Sequence, residues 1–431
     1  MNPDQRKRRV LSGILVVVVV VAATMAAISY IRGNESDFIH FYQAALAIRD
    51  GEDIYASFEG GYVYPPLFAV MLTPLSLLPM GWAGAVWAIL NGAMIIAAAR
   101  LCAREMVEAL RFPDVNALVP TAALVGLLIV FDKGRSSLSG GQTDALVLLM
   151  VIAALRCAGR WPMVCGLAIA MAMLVKFQAL IFVPYLFVRG RWREGIATIF
   201  CTVVLSLSTA LVFGWERNLE YLNTSLNVLR EVVTADGGAA TATPNILTWD
   251  RSVSIPSAIA RVVGQDHVPL VMGLTLALAS MVAGVVALMY RARGVPVLAA
   301  HGDLRESHGR TRLAIEWAGL CVAVVVFSPQ TEARHMLLTL PMTTIAGVMM
   351  FASPTRSARW LVAGAMGVVI AGLYLPPGGQ TFRASVDAWR SVAGASWCML
   401  AGLLCVLWVA LPRCRLTPDE AQPHSNPAHP T

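Results

Sequence analysis

Long apolar runs separated by short arginine-bearing segments constrain this chain more than anything else in it. The first run, Val10 to Ile31, has about 20 residues, enough for one helix to cross a bilayer. In lipid no water can satisfy a bare backbone N–H or C=O, so such a run must be helical or part of a closed barrel. Similar runs recur at 82–101, 117–131, 145–155, 195–213, 268–290, 313–327, 336–351, 360–375 and 391–411. The lengths of these runs fit helical spans. Only 14% of the 431 residues are charged, against about a quarter in soluble domains. The mean hydropathy of +0.66 agrees. The sequence predicts an all-α polytopic membrane protein.

The charges set an orientation. Arg6, Lys7, Arg8 and Arg9 precede the first run, which is longer than the roughly 7–15-residue apolar core of a cleaved signal peptide. An uncleaved first helix with its N-terminus in the cytoplasm follows. Arg100, Arg104 and Arg111, then Arg156 and Arg160, then Arg189, Arg191 and Arg193, fall in alternate loops, as do 291–312, Arg356 with Arg359, and Arg413 with Arg415. Lys and Arg mark cytoplasmic loops. Both termini are therefore expected inside, with about 11–13 transmembrane helices. The net charge of +7 lies in these loops, so nucleic acid is not expected as a partner. The eight scattered cysteines form no CxxC and read as small buried hydrophobes.

Two stretches resist a simple crossing. Pro74 and Pro79 interrupt the apolar run after Leu67, predicting a short or re-entrant juxtamembrane segment there. Pro162 to Val188 carries Lys176 at its middle, and an ammonium at bilayer depth costs about 2.5–3.5 kcal/mol. Two short spans meeting at the outer face, with Lys176 at the tip, avoid that cost. The outside segments are then 35–66, 132–144, 214–267, 328–335 and 376–390, the stretch 234–245 being a flexible loop. Residues 1–411 form the membrane domain, and 412–431 a polar, cytoplasmic, disordered tail.

The outside segments hold the polar residues that need explaining. Asp37 follows the first span and belongs near the outer surface, where a carboxylate can accept a proton from a hydroxyl nucleophile; it can also be an ordinary acid at a helix end. Lys176, Arg135, Arg251, Arg334 and His335 bring cations or donors to the same face. Such a set suits a phosphate, although each alone can be an interfacial side chain. Tyr62, Tyr64 and Pro65-Pro66 form either an aromatic belt or the wall of a groove. Gln142 follows Gly140-Gly141, a turn signal.

The order of these pieces resembles glycosyltransferase family 87, membrane mannosyltransferases of the GT-C class. The resemblance rests on Asp37 with Phe41, Tyr42, Ala44 and Ala45; on Gly51, Tyr55 and Tyr64-Pro65-Pro66; and on Pro74-Leu75, Leu78-Pro79, Trp87 and Asn91. Gly141-Gln142, Gly166 to Lys176, Arg191-Trp192 and Ser328-Pro329 with His335 continue it. Asp250-Arg251-Ser252 stands where the family often has Asn-Gln-Ser. Glu332-Ala333-Arg334-His335 stands where it often has paired histidines.

The resemblance implies a GT-C-like bundle that moves a sugar, mannose by expectation, from a polyprenyl-phosphate donor to a lipid or glycan acceptor. Asp37 would be the general base of an inverting single displacement. Lys176, Arg251 and Arg135 would balance the phosphate, His335 would orient donor or acceptor, and Tyr64, Gln142 and His40 would complete the site. Neither metal nor cofactor is implied. The expected place is the outer face of the cytoplasmic membrane, with membrane lipids and a lipoglycan or other envelope acceptor as partners. A lipid or solute transporter, or a non-catalytic scaffold, are the competing readings. A transporter would place its polar groups near the midplane of repeated halves, and here they gather at one face.

Overall fold

The structure, a computed structural model, describes residues 3–34, 36–55, 62–234, 247–297, 307–375 and 380–411. Glu35, the 56–61 part of the first outside segment, residues 235–246 with most of the stretch expected as a loop, residues 298–306 of the basic loop, residues 376–379 and the tail 412–431 lie outside the described residues.

The described chain is helical throughout, with a single isolated bridge, Ser252 to Glu332, outside the helices. α1 (Pro3–Ile31) crosses first. α2 (Phe38–Asp50) and α3 (Pro66–Leu72), with a 3-10 turn over 73–77, form the juxtamembrane layer expected for the first outside segment. α2 stops at Gly51, whose φ of +76° lets its amide bond back to the last helical carbonyls. Pro65 and Pro79 stand just before α3 and α4 (Met80–Ala109), where a missing N–H costs nothing.

α5 (Val115–Ser139) is longer than expected. Residues 132–139, read from their charges as loop, continue the helix, and only 140–143 turn before α6 (Asp144–Cys157). The reason is local: Asp132 pairs with Arg135 one turn on, at 2.8 Å, so the charges stabilise the exposed end of the helix. α7 (Pro162–Val175) ends at Lys176, which is extended at φ −152° and ψ 114°. A 3-10 turn over 177–181 and α8 (Phe182–Val188) return from it. The two short arms meeting at Lys176 are as the mid-run ammonium required.

α9 (Trp192–Ser208) and α10 (Ala210–Phe213) lead to α11 (Trp215–Thr234) and α12 (Ile255–Val263). α13 (Val268–Ala292) and α14 (Ser307–Phe327) follow. The 328–335 segment is only partly loop, since a 3-10 helix over 333–339 runs into α15 (Leu340–Ala352). α16 (Arg356–Tyr374), α17 (Arg383–Ser391) and α18 (Gly394–Ala410) complete the chain.

Among the described residues seven helices are long and apolar enough to cross a membrane, or eight if the bent pair α17–α18 is one span. The larger number expected from the sequence also includes short helices such as α6, α7 and α8.

α15 is the central staff, packed on α4, α5, α14, α16 and α18. Thr343 donates to the Gly126 carbonyl at 2.8 Å, and a Cβ on Gly126 would strike Thr344. That close approach is why a glycine is needed in α5. Because the helices alternate in direction, two charged ends result. At one, buried Glu105 bonds Arg156 at 2.6 Å and also Arg310, while Glu108 holds Arg104 and Arg156 at 2.7 Å. At the other lie Asp37, Asp144, Lys176 and His335.

Candidate active site

The second end is assembled from two short backbone segments, residues 140–144 and 332–335, each of which feeds two charged groups. The end of α5 is tied down on three sides. Tyr30 of α1 donates to the Leu138 and Ser139 carbonyls at 3.2 Å, Trp87 of α4 to the Gly141 carbonyl at 3.0 Å, and the Asp37 amide to the Gly140 carbonyl at 3.2 Å. Gly141 has φ +70°, and a Cβ there would lie 2.6 Å from the Phe38 side chain. Only glycine permits this turn to lie against α2.

The first charged group centres on Asp37, at the start of α2. Its Oδ2 accepts from Gln142 Nε2 in a very short bond and from Arg334 Nη2 at 2.8 Å, and Arg334 also pairs with Glu332. Asp37 is 44% exposed, and its Oδ1 makes no hydrogen bond among the described residues. The carboxylate is thus held by one oxygen and open at the other.

The second group is a buried triad. Lys176 Nζ donates to Asp144 Oδ1 at 2.6 Å and lies 2.9 Å from His335 Nδ1, which is 3.0 Å from both Asp144 oxygens. Nδ1 donates to Asp144 when it carries a proton and accepts from Lys176 when it does not. Ser137 adds a longer bond to Asp144 at 3.4 Å. Asp144 is fully buried, so leaving it without these cations would be costly.

Tyr64 adjoins both groups. Burial, and then the fields of Asp144 and Asp37, raise its phenol well above the ordinary range, so it is a hydrogen-bond donor and not a base. It packs on Phe41 and Phe68, while Tyr62 is buried, donating to the Pro65 carbonyl and accepting from the Ala69 amide. These rings form the core of the juxtamembrane layer and not a belt around it.

Of the residues expected from the sequence, Asp37, Gln142, Lys176, His335 and Tyr64 converge. His40 sits one helical turn past Asp37, its Nδ1 buried without a hydrogen-bond partner among the described residues. Arg135 does not join them, being half exposed and paired with Asp132. Arg251 is exposed and makes no ion pair among the described residues, though its neighbour Ser252 pairs with Glu332. Asp144 and Glu332 were missed. Asp144 looked like the end of a loop, and its one signal was the position after Gly-Gly-Gln-Thr, opening an apolar run. Of three buried serines, Ser252 entered the sequence reading only as the end of Asp250-Arg251-Ser252, and Ser254 and Ser257 gave no signal. They bond one another and the Pro329 carbonyl, and so fasten 328–332 to α12. Among the described residues no three His, Cys, Asp or Glu side chains converge to hold a metal ion.

A half-open carboxylate thus lies beside a buried Lys–His–Asp group at one end of a polytopic bundle of apolar helices. The sequence model of glycosyltransferase family 87 matches residues 62–304. The chain belongs to glycosyltransferase family 87 and is a glycosyltransferase.

Two relatives are polyprenol-phosphate-mannose-dependent enzymes of Mycobacterium tuberculosis. An α-(1-2)-phosphatidylinositol pentamannoside mannosyltransferase of strain CDC 1551 / Oshkosh is 28% identical over 196 residues, 43% of each chain. An α-(1-2)-phosphatidylinositol mannoside mannosyltransferase of strain ATCC 25618 / H37Rv is 24% identical over 382 residues, 84% of this chain and 79% of the relative. The match to the first thus spans less than half of that relative's length.

Proposed function

We propose that this glycosyltransferase moves mannose from a polyprenyl-phosphate donor to a hydroxyl of a lipid-linked acceptor at the outer face of the membrane. The observation that carries this is the pairing of a half-open Asp37 with the Lys176–His335–Asp144 group through the 140–144 and 332–335 segments. Both relatives named above use polyprenol-phosphate-mannose and act on phosphatidylinositol mannosides, which supports donor and acceptor class. The arginine-bearing loops at the opposite end support an outward-facing site.

In this reading Asp37 Oδ1 takes the proton of the acceptor hydroxyl as its oxygen attacks the anomeric carbon. The glycosidic C–O bond to phosphate breaks on the opposite side, inverting the centre. The departing phosphate gains charge, and Lys176, already held by Asp144 and His335, sits ready to balance it without rearrangement. Gln142 and Arg334 keep the Asp37 carboxylate oriented through Oδ2.

The test is to incubate the purified enzyme with radiolabelled polyprenyl-phosphate-mannose and phosphatidylinositol mannosides, then analyse the lipids. A labelled, more polar lipid whose new linkage is α is the expected product. Solute accumulation in proteoliposomes with no covalent product would refute the reading.

A further inference from the structure

Two arginines open α16 and meet no acid among the described residues. Arg356 and Arg359 stand in its first turn, where bare N–H groups already carry the positive end of the helix dipole and favour an anion. The sequence from Met350 to Ala363 holds no Asp or Glu. The contrast is with Arg104, Arg156, Arg189 and Arg312, which each reach a glutamate, at 2.7, 2.6, 2.6 and 3.1 Å. Arg359 donates through Nε to the Ser353 carbonyl at 2.7 Å, which fixes its guanidinium; its Nη groups make no hydrogen bond among the described residues. Arg356 makes none there through any of its nitrogens.

This is the end of α16 away from the candidate active site. At the other end Tyr374 donates to the Ile129 carbonyl at 3.1 Å and accepts from the Asp132 amide at 3.4 Å, beside the last turns of α5. From Arg356 to Tyr374 the helix rises roughly 27 Å. A cavity of about 800 Å³ lies between the two arginines and the end of α15, lined also by Met350, Phe351, Pro354 and Trp360. Phe351 and Trp360 are exposed, and Leu361 and Val368 continue an exposed apolar flank along α16, a helix able to cross a membrane. A positively charged cavity therefore opens onto a surface that faces lipid.

We propose that this cavity binds the headgroup of an anionic glycerophospholipid from the leaflet opposite the active site. Its phosphate would lie between the two guanidinium groups, whose forked N–H donors match phosphate oxygens. Its first acyl carbons would lie against Phe351 and Trp360, the level at which interfacial aromatic rings sit. A free phosphate has no use for that apolar flank. A zwitterionic lipid would leave the two positive charges unbalanced. A second copy docked by the same face would set like charges against each other.

The test uses the full-length protein in phosphatidylcholine nanodiscs that carry a little phosphatidylglycerol with a diazirine near its glycerol. After illumination, labelled peptides are mapped by mass spectrometry for wild type, Arg356→Gln, the Arg356→Gln/Arg359→Gln double variant and Arg104→Gln. Labelling is expected to concentrate on 350–363 in wild type, to fall about fivefold in Arg356→Gln and further in the double variant. It should persist in Arg104→Gln, which removes an arginine already paired with an acid. Unlabelled phosphatidylglycerol should compete, while inorganic phosphate and added phosphatidylcholine should not. Arg356 has no hydrogen bond to lose among the described residues, so the single variant carries the comparison if the double one fails to fold. Labelling spread evenly over the lipid-facing helices, or unchanged in Arg356→Gln, would overturn the site. Competition by inorganic phosphate would make it a free-anion site, and equal competition by phosphatidylcholine an unselective lipid trough. Absence of label from 350–363 would mean that a second copy or another element covers this face. Each of these three results also overturns the proposal.

Discussion

Asp144 is the residue on which the buried part of the site depends. Replacing it with Asn leaves Lys176, only 11% exposed, and His335 facing a neutral amide. Breaking a buried pair in this way costs roughly 3–5 kcal/mol. Asp144→Asn is therefore expected to lower the thermal midpoint in detergent, and adding Lys176→Met should recover part of the loss. An unchanged midpoint in the single variant would show that the triad contributes little. Arg135 offers the contrast. Its pair with Asp132 is exposed and worth at most about 1 kcal/mol, so Arg135→Gln should leave both stability and transfer nearly as they are. Asp37, Lys176 and His335 were legible in the sequence because a charge or imidazole beside an apolar run needs a reason. Asp144 was not, since the helix that begins there hid a buried acid behind what looked like a loop boundary.

At the scale of elements, the turn over 140–143 joins the two charged groups. Gly141→Ala would force a positive φ on alanine and push a methyl into Phe38. A loss above about 1 kcal/mol is expected, together with lower transfer, because Gln142 and Asp37 move with the turn. Retained stability and activity would mean that the turn can adopt another path. The juxtamembrane helices and the break at Lys176 were readable from the prolines and the stranded ammonium. The true extent of α5 was not, because Asp132, Lys133 and Arg135 resemble a solvated loop until their spacing of one helical turn is noticed. The same blindness covered 333–339, whose helical turn carries Arg334 and His335 to different partners.

For the whole molecule, the helix end that gathers Glu105, Arg156 and Arg310 lies opposite the end that holds Asp37. Five of the seven cysteines among the described residues are buried, so replacing Cys398, Cys405 and Cys414 with serine prepares the background for labelling. Glu52→Cys is expected to react with a membrane-impermeant maleimide in intact spheroplasts. Arg193→Cys is expected to react only after lysis, and the reverse pattern would invert the proposed orientation. All-α class and the alternation of charged ends were legible because lipid leaves the backbone few choices. Which short helices cross fully was not, since length alone does not separate a buried half-span from a re-entrant arm.

The most direct test of the account is the transfer rate of Asp37→Asn in purified enzyme whose thermal midpoint matches wild type. A carboxylate acting as general base supplies about 10²–10⁴-fold, so kcat should fall by that factor while donor binding persists. Transfer at the wild-type rate by a folded Asp37→Asn enzyme would contradict it.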